Sequence, residues 1–158
     1  MSQNLNMRDL IPTKAVASAL NATSKKDVLQ QISEAAAKSI GADVQAVFDV
    51  LWERERLGTT GVGNGIAIPH GRVAGLNKVF GYFARLAQPV GFDSIDDKPV
   101  DLVFLLLAPE SAGADHLHAL ATVSRLLRDP KLCEQVRRAK DDAAIYKLLT
   151  ETQNVAAA

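Results

Sequence analysis

At 158 residues, with 47% hydrophobic and 23% charged side chains, the chain can bury a substantial core as one domain and does not have the composition of a disordered protein. Its formal net charge is +0 and it has no basic block, which argues against nucleic acid as the main partner. The longest wholly apolar run, Leu102 to Ala108, is far too short to cross a bilayer, and the polar start Met1 to Asp9 lacks the apolar stretch of a signal peptide, so a cytoplasmic protein with no membrane insertion is expected.

The ends, residues 1–7 and 151–158, carry little apolar material and are expected to be flexible around a domain spanning 8–150. Leu10 to Val16 suits a short strand or a turn. The first clear helix starts at Ser24, with Asp27 three residues on as a capping box. Val28, Leu29, Ile32, Ala36 and Ile40 form its apolar stripe, and Gly41 is placed to end it. Asp43 caps a second helix that buries Val44, Val47, Phe48 and Leu51, carries Glu53-Arg54-Glu55-Arg56 in its last turn and stops at Gly58. Strands are expected at Ile66 to Ile68, Val79 to Leu86 and Val100 to Leu107, the last reading as a central strand covered on both faces. Pro89, Gly91 and Asp93 to Pro99 read as connecting loops, with room for a short edge strand. Helices are predicted over Ala114 to Arg128, Pro130 to Ala139 and Asp142 to Thr150, with Asp129-Pro130 and Asp141 as start signals. Cys133 is the only cysteine and cannot form an internal disulfide, which fits a reducing compartment. The sum is an α/β fold, a mixed sheet flanked by helices on both sides.

The chemistry concentrates between Thr59 and Arg72. Gly61, Gly63 and Gly65 alternate, a short apolar strand follows, and Pro69-His70-Gly71 halts it with an imidazole at the tip. Backbone N–H groups without a Cβ nearby suit an anion, which makes Thr60, Gly61, Gly63 and Gly65 the expected phosphate-binding residues. The order of helix, glycines, strand is the reverse of a nucleotide-binding loop, where the helix follows the glycines. His70 suits a nucleophile, provided one ring N–H is tied down, as by a backbone carbonyl.

Two more histidines lie in Asp115-His116-Leu117-His118. At about 100° per residue, His116 lines up with Leu120, Val123 and Leu127, whereas His118 falls with Thr122 and Arg125 on the polar face. Taken alone, His116 reads as a core histidine. Near the start of its helix it can also favour an anion. No acid or cysteine beside either one completes a zinc set, so no metal is expected. Arg54 shares the inner stripe with Leu51 and can reach the site, where a guanidinium suits phosphate. Asp96, Asp97 and Asp101 read as loop and strand-end residues.

Arg54-Glu55 together with Thr59 to Gly71 resembles the phosphorylation-site signature of type-2 IIA proteins, fructose/mannitol class, of the bacterial phosphoenolpyruvate-dependent phosphotransferase system (PTS). Phe92-Asp93, Asp97-Lys98-Pro99-Val100-Asp101 and the His116-Leu117-His118 segment agree, so the likeness runs over residues 8 to 150. It is greatest to the nitrogen-regulatory IIA branch. The resemblance implies a mannitol-type IIA fold. It also implies that His70 takes a phosphoryl group from the phosphohistidine of a small carrier, HPr or its nitrogen-branch counterpart NPr. His116 and Arg54 then complete the active site, and no cofactor is called for. At family level, sensor kinases and potassium transporters are the suggested targets. Two alternatives stay open: a sugar-transport component passing phosphate to a IIB domain, and a regulator that acts by contact alone.

Overall fold

The computed structural model describes residues 6–157; Met1 to Leu5, part of the start expected to be flexible, lie outside that range. At its inner edge the start of the chain is structured. Asn6 accepts a hydrogen bond from the Arg8 N–H and caps a short helix, α1 (Met7–Leu10), whose Met7 is fully buried. At the other end, the backbone of residues 151–157 continues the last helix instead of leaving it.

After α1 come β1 (Val16–Leu20), α2 (Lys25–Ile40) and α3 (Val44–Leu57). Both longer helices begin and end where their polar signals lie. The Ser24 side chain accepts from the Asp27 N–H at 3.1 Å, and Gly41 takes a left-handed conformation (φ +71°) that a side chain would resist. Asp43 caps α3 through the Ala46 N–H at 3.0 Å. Three short strands follow: β2 (Gly61–Gly63), β3 (Ile66–Ala67) and β4 (His70–Val73). Two long ones come next, β5 (Phe80–Val90) and β6 (Val100–Pro109), and then α4 (Ala114–Leu127), α5 (Pro130–Arg138) and α6 (Asp142–Ala157).

The sheet has the order β1-β5-β6-β3-β2, and β4 also pairs with β6. It is mixed. β1 runs parallel to β5, β5 antiparallel to β6, and β3 and β4 both parallel to β6. β6 lies at the centre, and Leu102 to Ala108 are fully buried, as a strand covered on both faces requires. Ile66 pairs with Leu102 and His70 with Leu106, so β3 and β4 are successive pieces of one line along β6. Pro69 separates them because it has no N–H to give the ladder, although its carbonyl still accepts from the Leu106 N–H at 2.9 Å.

Helices cover both faces. A Cβ at Gly71 would collide with Val50 of α3, so that side of β4 is closed by α3. Side chains alternate along a strand, which sends His70 to the opposite side, where its ring meets His116 of α4. Replacing Gly71 by valine is therefore expected to destabilise the fold by about 1–3 kcal/mol. A lowered denaturant midpoint with an unchanged slope would register it.

Several boundaries differ from the sequence reading. Leu10 to Val16 holds the end of α1 and a turn, and the strand begins only at Val16. Pro89 lies within β5 instead of a loop; it is tolerated because the register slips between Arg85 and Val90, where the ladder asks nothing of its nitrogen. β2 and β4 occupy segments that read as a glycine loop and a turn. Thr122, assigned to the polar face of α4, is buried, with its hydroxyl donating to the His118 carbonyl at 2.9 Å.

Candidate active site

The glycine segment folds as a hairpin. Asn64 (φ +59°) and Gly65 (φ +80°) form the two-residue turn between β2 and β3, both left-handed, as the tightest hairpin turns demand. Its tip is fastened from outside. The Asn64 N–H donates to Asp96 at 3.0 Å, and Arg137 of α5 donates to the Asn64 carbonyl at 2.8 Å while pairing with Asp101. A Cβ at Gly65 would lie 2.7 Å from both Arg137 and Asp101, so glycine is needed there for close packing as well as for its φ.

Two of the four residues expected to form an anion cradle have their N–H groups engaged within the protein. Thr60 is buried, and its N–H and hydroxyl both donate to Glu55, at 3.0 and 2.6 Å. The Gly61 N–H donates to the Thr59 hydroxyl at 3.0 Å. Gly63 and Gly65 flank Asn64 in the hairpin. Thr60 and Gly61 thus use their N–H groups inside the protein.

What the fold does bring together is a pair of imidazoles. His70, at the start of β4 and half-buried, holds its Nδ1 2.8 Å from the Ile68 carbonyl. A carbonyl only accepts, so Nδ1 carries the hydrogen and Nε2 of the neutral ring keeps its lone pair. The ring centroid of His116, in the first turn of α4, is 5.6 Å away at a tilt of 49°. His116 is 7% exposed, and its Nδ1 is buried with no hydrogen-bond partner among the described residues. His118 is exposed on the far side of the helix, as its position on the wheel implies.

Two cations border the pair. Arg54 is half-buried and donates to the Gly58 carbonyl at 2.9 Å, and its charge reaches His70. Arg72 is exposed, two residues after His70 on the same face of β4, and its charge reaches His116. The sequence reading passed over Arg72. The alternation that finds it becomes visible only once residues 70–73 are known to be a strand. Glu55 entered the sequence reading only as part of the Arg54-Glu55 signature, with no role of its own, although it follows Leu51 by four residues on the buried stripe.

Burial lowers the pKa of His70 from its ordinary 6.5; the Ile68 hydrogen bond opposes this, Arg54 adds to it, and Glu55 works against it. His116 is also lowered, first by burial and then by the charges of His70 and Arg72. Both shifts favour the neutral form of the ring. NMR titration should show both midpoints below 6.5. Because the folded pKa values lie below the unfolded ones, the unfolded chain binds these protons first. Stability carried by the neutral rings is therefore complete above about pH 6.5 and is lost as the pH falls towards the folded values.

Among the described residues, no helix is long and apolar enough to cross a membrane, and no group of three or more histidine, cysteine or acidic residues could hold a metal ion. The model of the EIIA 2 family of the phosphoenolpyruvate-dependent sugar phosphotransferase system matches residues 9–152. A nitrogen regulatory protein of Bradyrhizobium diazoefficiens is 54% identical over 141 residues, 89% of this chain and 92% of that protein. The crystal structure of the nitrogen regulatory protein IIA-Ntr from Neisseria meningitidis superposes with a TM-score of 0.86 at 33% identity, covering 91% of this chain and 99% of the other. The IIA mannitol structure from Escherichia coli shares the fold, with a TM-score of 0.71 at 22% identity over 85% of this chain and 95% of that one. A mixed sheet carrying a neutral, tethered histidine beside a second one agrees with these matches: the chain belongs to the EIIA 2 family of the phosphoenolpyruvate-dependent sugar phosphotransferase system, with relatives named as nitrogen regulatory proteins.

Proposed function

We propose that the protein is a phosphoryl-accepting regulator of the nitrogen branch of that system, with Nε2 of His70 as the acceptor atom. The observation that carries this reading is the 2.8 Å bond between His70 Nδ1 and the Ile68 carbonyl, which leaves a lone pair on Nε2 of a half-buried ring. The donor is the phosphohistidine of an HPr- or NPr-type carrier. The Nε2 lone pair forms a new N–P bond as the donor's N–P bond breaks, and the donor nitrogen leaves with that electron pair. The three outer oxygens stay on phosphorus throughout. Transfers of this kind depend on positioning and on charge stabilisation. In this reading His116 and Arg54 hold the oxygens, which the 5.6 Å spacing of the two rings and the reach of the Arg54 charge to His70 support, and Arg72 adds a cation at the rim. Nδ1 keeps its hydrogen, so the phosphorylated ring carries positive charge that the Ile68 carbonyl accommodates.

The bound phosphoryl group itself carries about −1.5 to −2 charges, the positive ring offsets part of them, and the face where His70 lies becomes more negative. A target that binds the two forms with different affinity turns that change into regulation, and only the difference counts. Sensor kinases and potassium transporters are the target classes this reading puts forward. The test is incubation with phosphoenolpyruvate and the two upstream phosphotransferase proteins, read by intact mass. One acid-labile phosphoryl group per chain is the expected result. A chain whose mass stays unchanged while the carrier is fully phosphorylated would overturn the proposal.

A further inference from the structure

Resting on His70 as acceptor, we propose that Glu55 is a positioning residue for its ring, acting through Thr60 and Ile68. Glu55 lies in the last turn of α3, and only 2% of its side chain is exposed. Both carboxylate oxygens are engaged. One accepts from the Thr60 N–H and pairs with Lys25 at 3.0 Å; the other accepts from the Thr60 hydroxyl at 2.6 Å. Lys25 is itself held, pairing with Asp93 at 3.2 Å and lying 5.5 Å from the centre of the Phe92 ring. A carboxylate buried this deeply is retained only when paired and fully hydrogen-bonded, and this one is.

The chain of contacts continues from there to the acceptor. The Thr60 carbonyl accepts from the Ile68 N–H at 3.0 Å, and the Ile68 carbonyl accepts from His70 Nδ1 at 2.8 Å. On its other side, the Ile68-Pro69 segment is held by the Leu106 N–H donating to the Pro69 carbonyl. The Ile68 carbonyl is thus clamped between two anchors. One is the central strand β6. The other is Thr60, which Glu55 holds by two bonds. The linkage is mechanical: the Thr60 N–H and the Thr60 carbonyl belong to different peptide planes, so Glu55 sets where that carbonyl lies and does not polarise it. Release of Thr60 lets the Ile68 carbonyl move, and His70 then loses the contact that selects the Nδ1–H tautomer.

The experiment compares Glu55→Gln, Thr60→Val and Thr60→Ser in the full chain by two readouts. The first is the His70 tautomer, read from imidazole nitrogen shifts, which needs no phosphoryl transfer. The second is the rate of phosphorylation by the phosphocarrier. Glu55→Gln keeps the shape but cannot satisfy Lys25 and both Thr60 donors together. It is expected to give a mixture of tautomers and to slow phosphorylation on the order of tenfold to a hundredfold, the effect of a small displacement at a reacting centre. Thr60→Val leaves α3 and Arg54 untouched, so a parallel, smaller change there separates positioning of His70 from displacement of Arg54. Thr60→Ser restores the hydroxyl and should restore both readouts. If Glu55→Gln does not fold, Thr60→Val gives the same reading. A folded variant with the wild-type tautomer and rate would overturn the inference and leave the acceptor role of His70 intact. A wild type that takes no phosphate would overturn the acceptor role, while the tautomer still reports on Glu55.

Discussion

His70→Ala is expected to abolish phosphate uptake outright, with intact mass remaining at the unmodified value after exhaustive incubation with phosphoenolpyruvate and the upstream proteins. The effect is complete because the substitution removes the atom that forms the bond, so no residual rate is available from positioning. Neither remaining imidazole is placed to substitute. His116 is 7% exposed, and His118 sits on the solvent face of α4 without the Ile68-type tether that readies His70. The fold should survive, since His70 is half-buried and the pairing of β4 with β6 uses its backbone. An unchanged circular dichroism spectrum would establish that the loss is chemical. Acid-labile phosphate retained by a folded His70→Ala protein would move the acceptor elsewhere and remove the basis of the proposed function.

His116→Ala is the second large effect, a fall in phosphorylation rate of about 10²–10³, the usual consequence of deleting a preorganised group that meets charge in the transition state. Its ring lies 5.6 Å from that of His70, and its Nδ1 is buried without a protein partner among the described residues. Removing such a group breaks no hydrogen bond of that nitrogen, so the stability cost is confined to the lost packing of the ring. Rate and stability should therefore separate, with single-turnover phosphorylation falling steeply in a variant that still unfolds cooperatively at a somewhat lower temperature. His118→Ala, two residues away and exposed, should leave both unaffected. A variant at His116 that accepts phosphate at the wild-type rate would show that the neighbouring ring is core filling only.

The helices were legible in the chain because their boundaries are written locally. Ser24, Gly41, Asp43, Asp129 and Asp141 each act within four residues of where they stand, and each does in the structure what its chemistry predicts. β6 was legible as an unbroken apolar run. The short strands were not. β1 is mostly half-exposed and owes its conformation to pairing with β5, far away in sequence. β4 begins at the residue after Pro69, where local signals say turn, and only its register against Leu106 to Pro109 makes it a strand. The folding of the glycine segment was hidden for a related reason. Asn64-Gly65 is a hairpin signal in its own right, but only the hydrogen bonds of Thr60 and Gly61 reveal that their N–H groups are already spent. Arg85 marks the same limit. It ties the Ser18, Val136 and Ala139 carbonyls together, at 2.8, 2.9 and 2.6 Å, and nothing near it in the chain foretells that. The site itself was half visible: the helical wheel turned His116 inward, whereas Arg72 and Glu55 needed the strand and the loop to be folded first.

The one-sided pairing of β4 governs what a charge gained at its first residue can disturb. Its ladder runs inward to Leu106, Leu107, Ala108 and Pro109, and among the described residues no strand lies along its outer flank. An anion settling on that ring would rearrange water and mobile ions at the rim without unzipping a single rung. The scaffold would stay silent while its electrostatic label is rewritten, so under the proposed function the two forms would differ at this rim chiefly in charge.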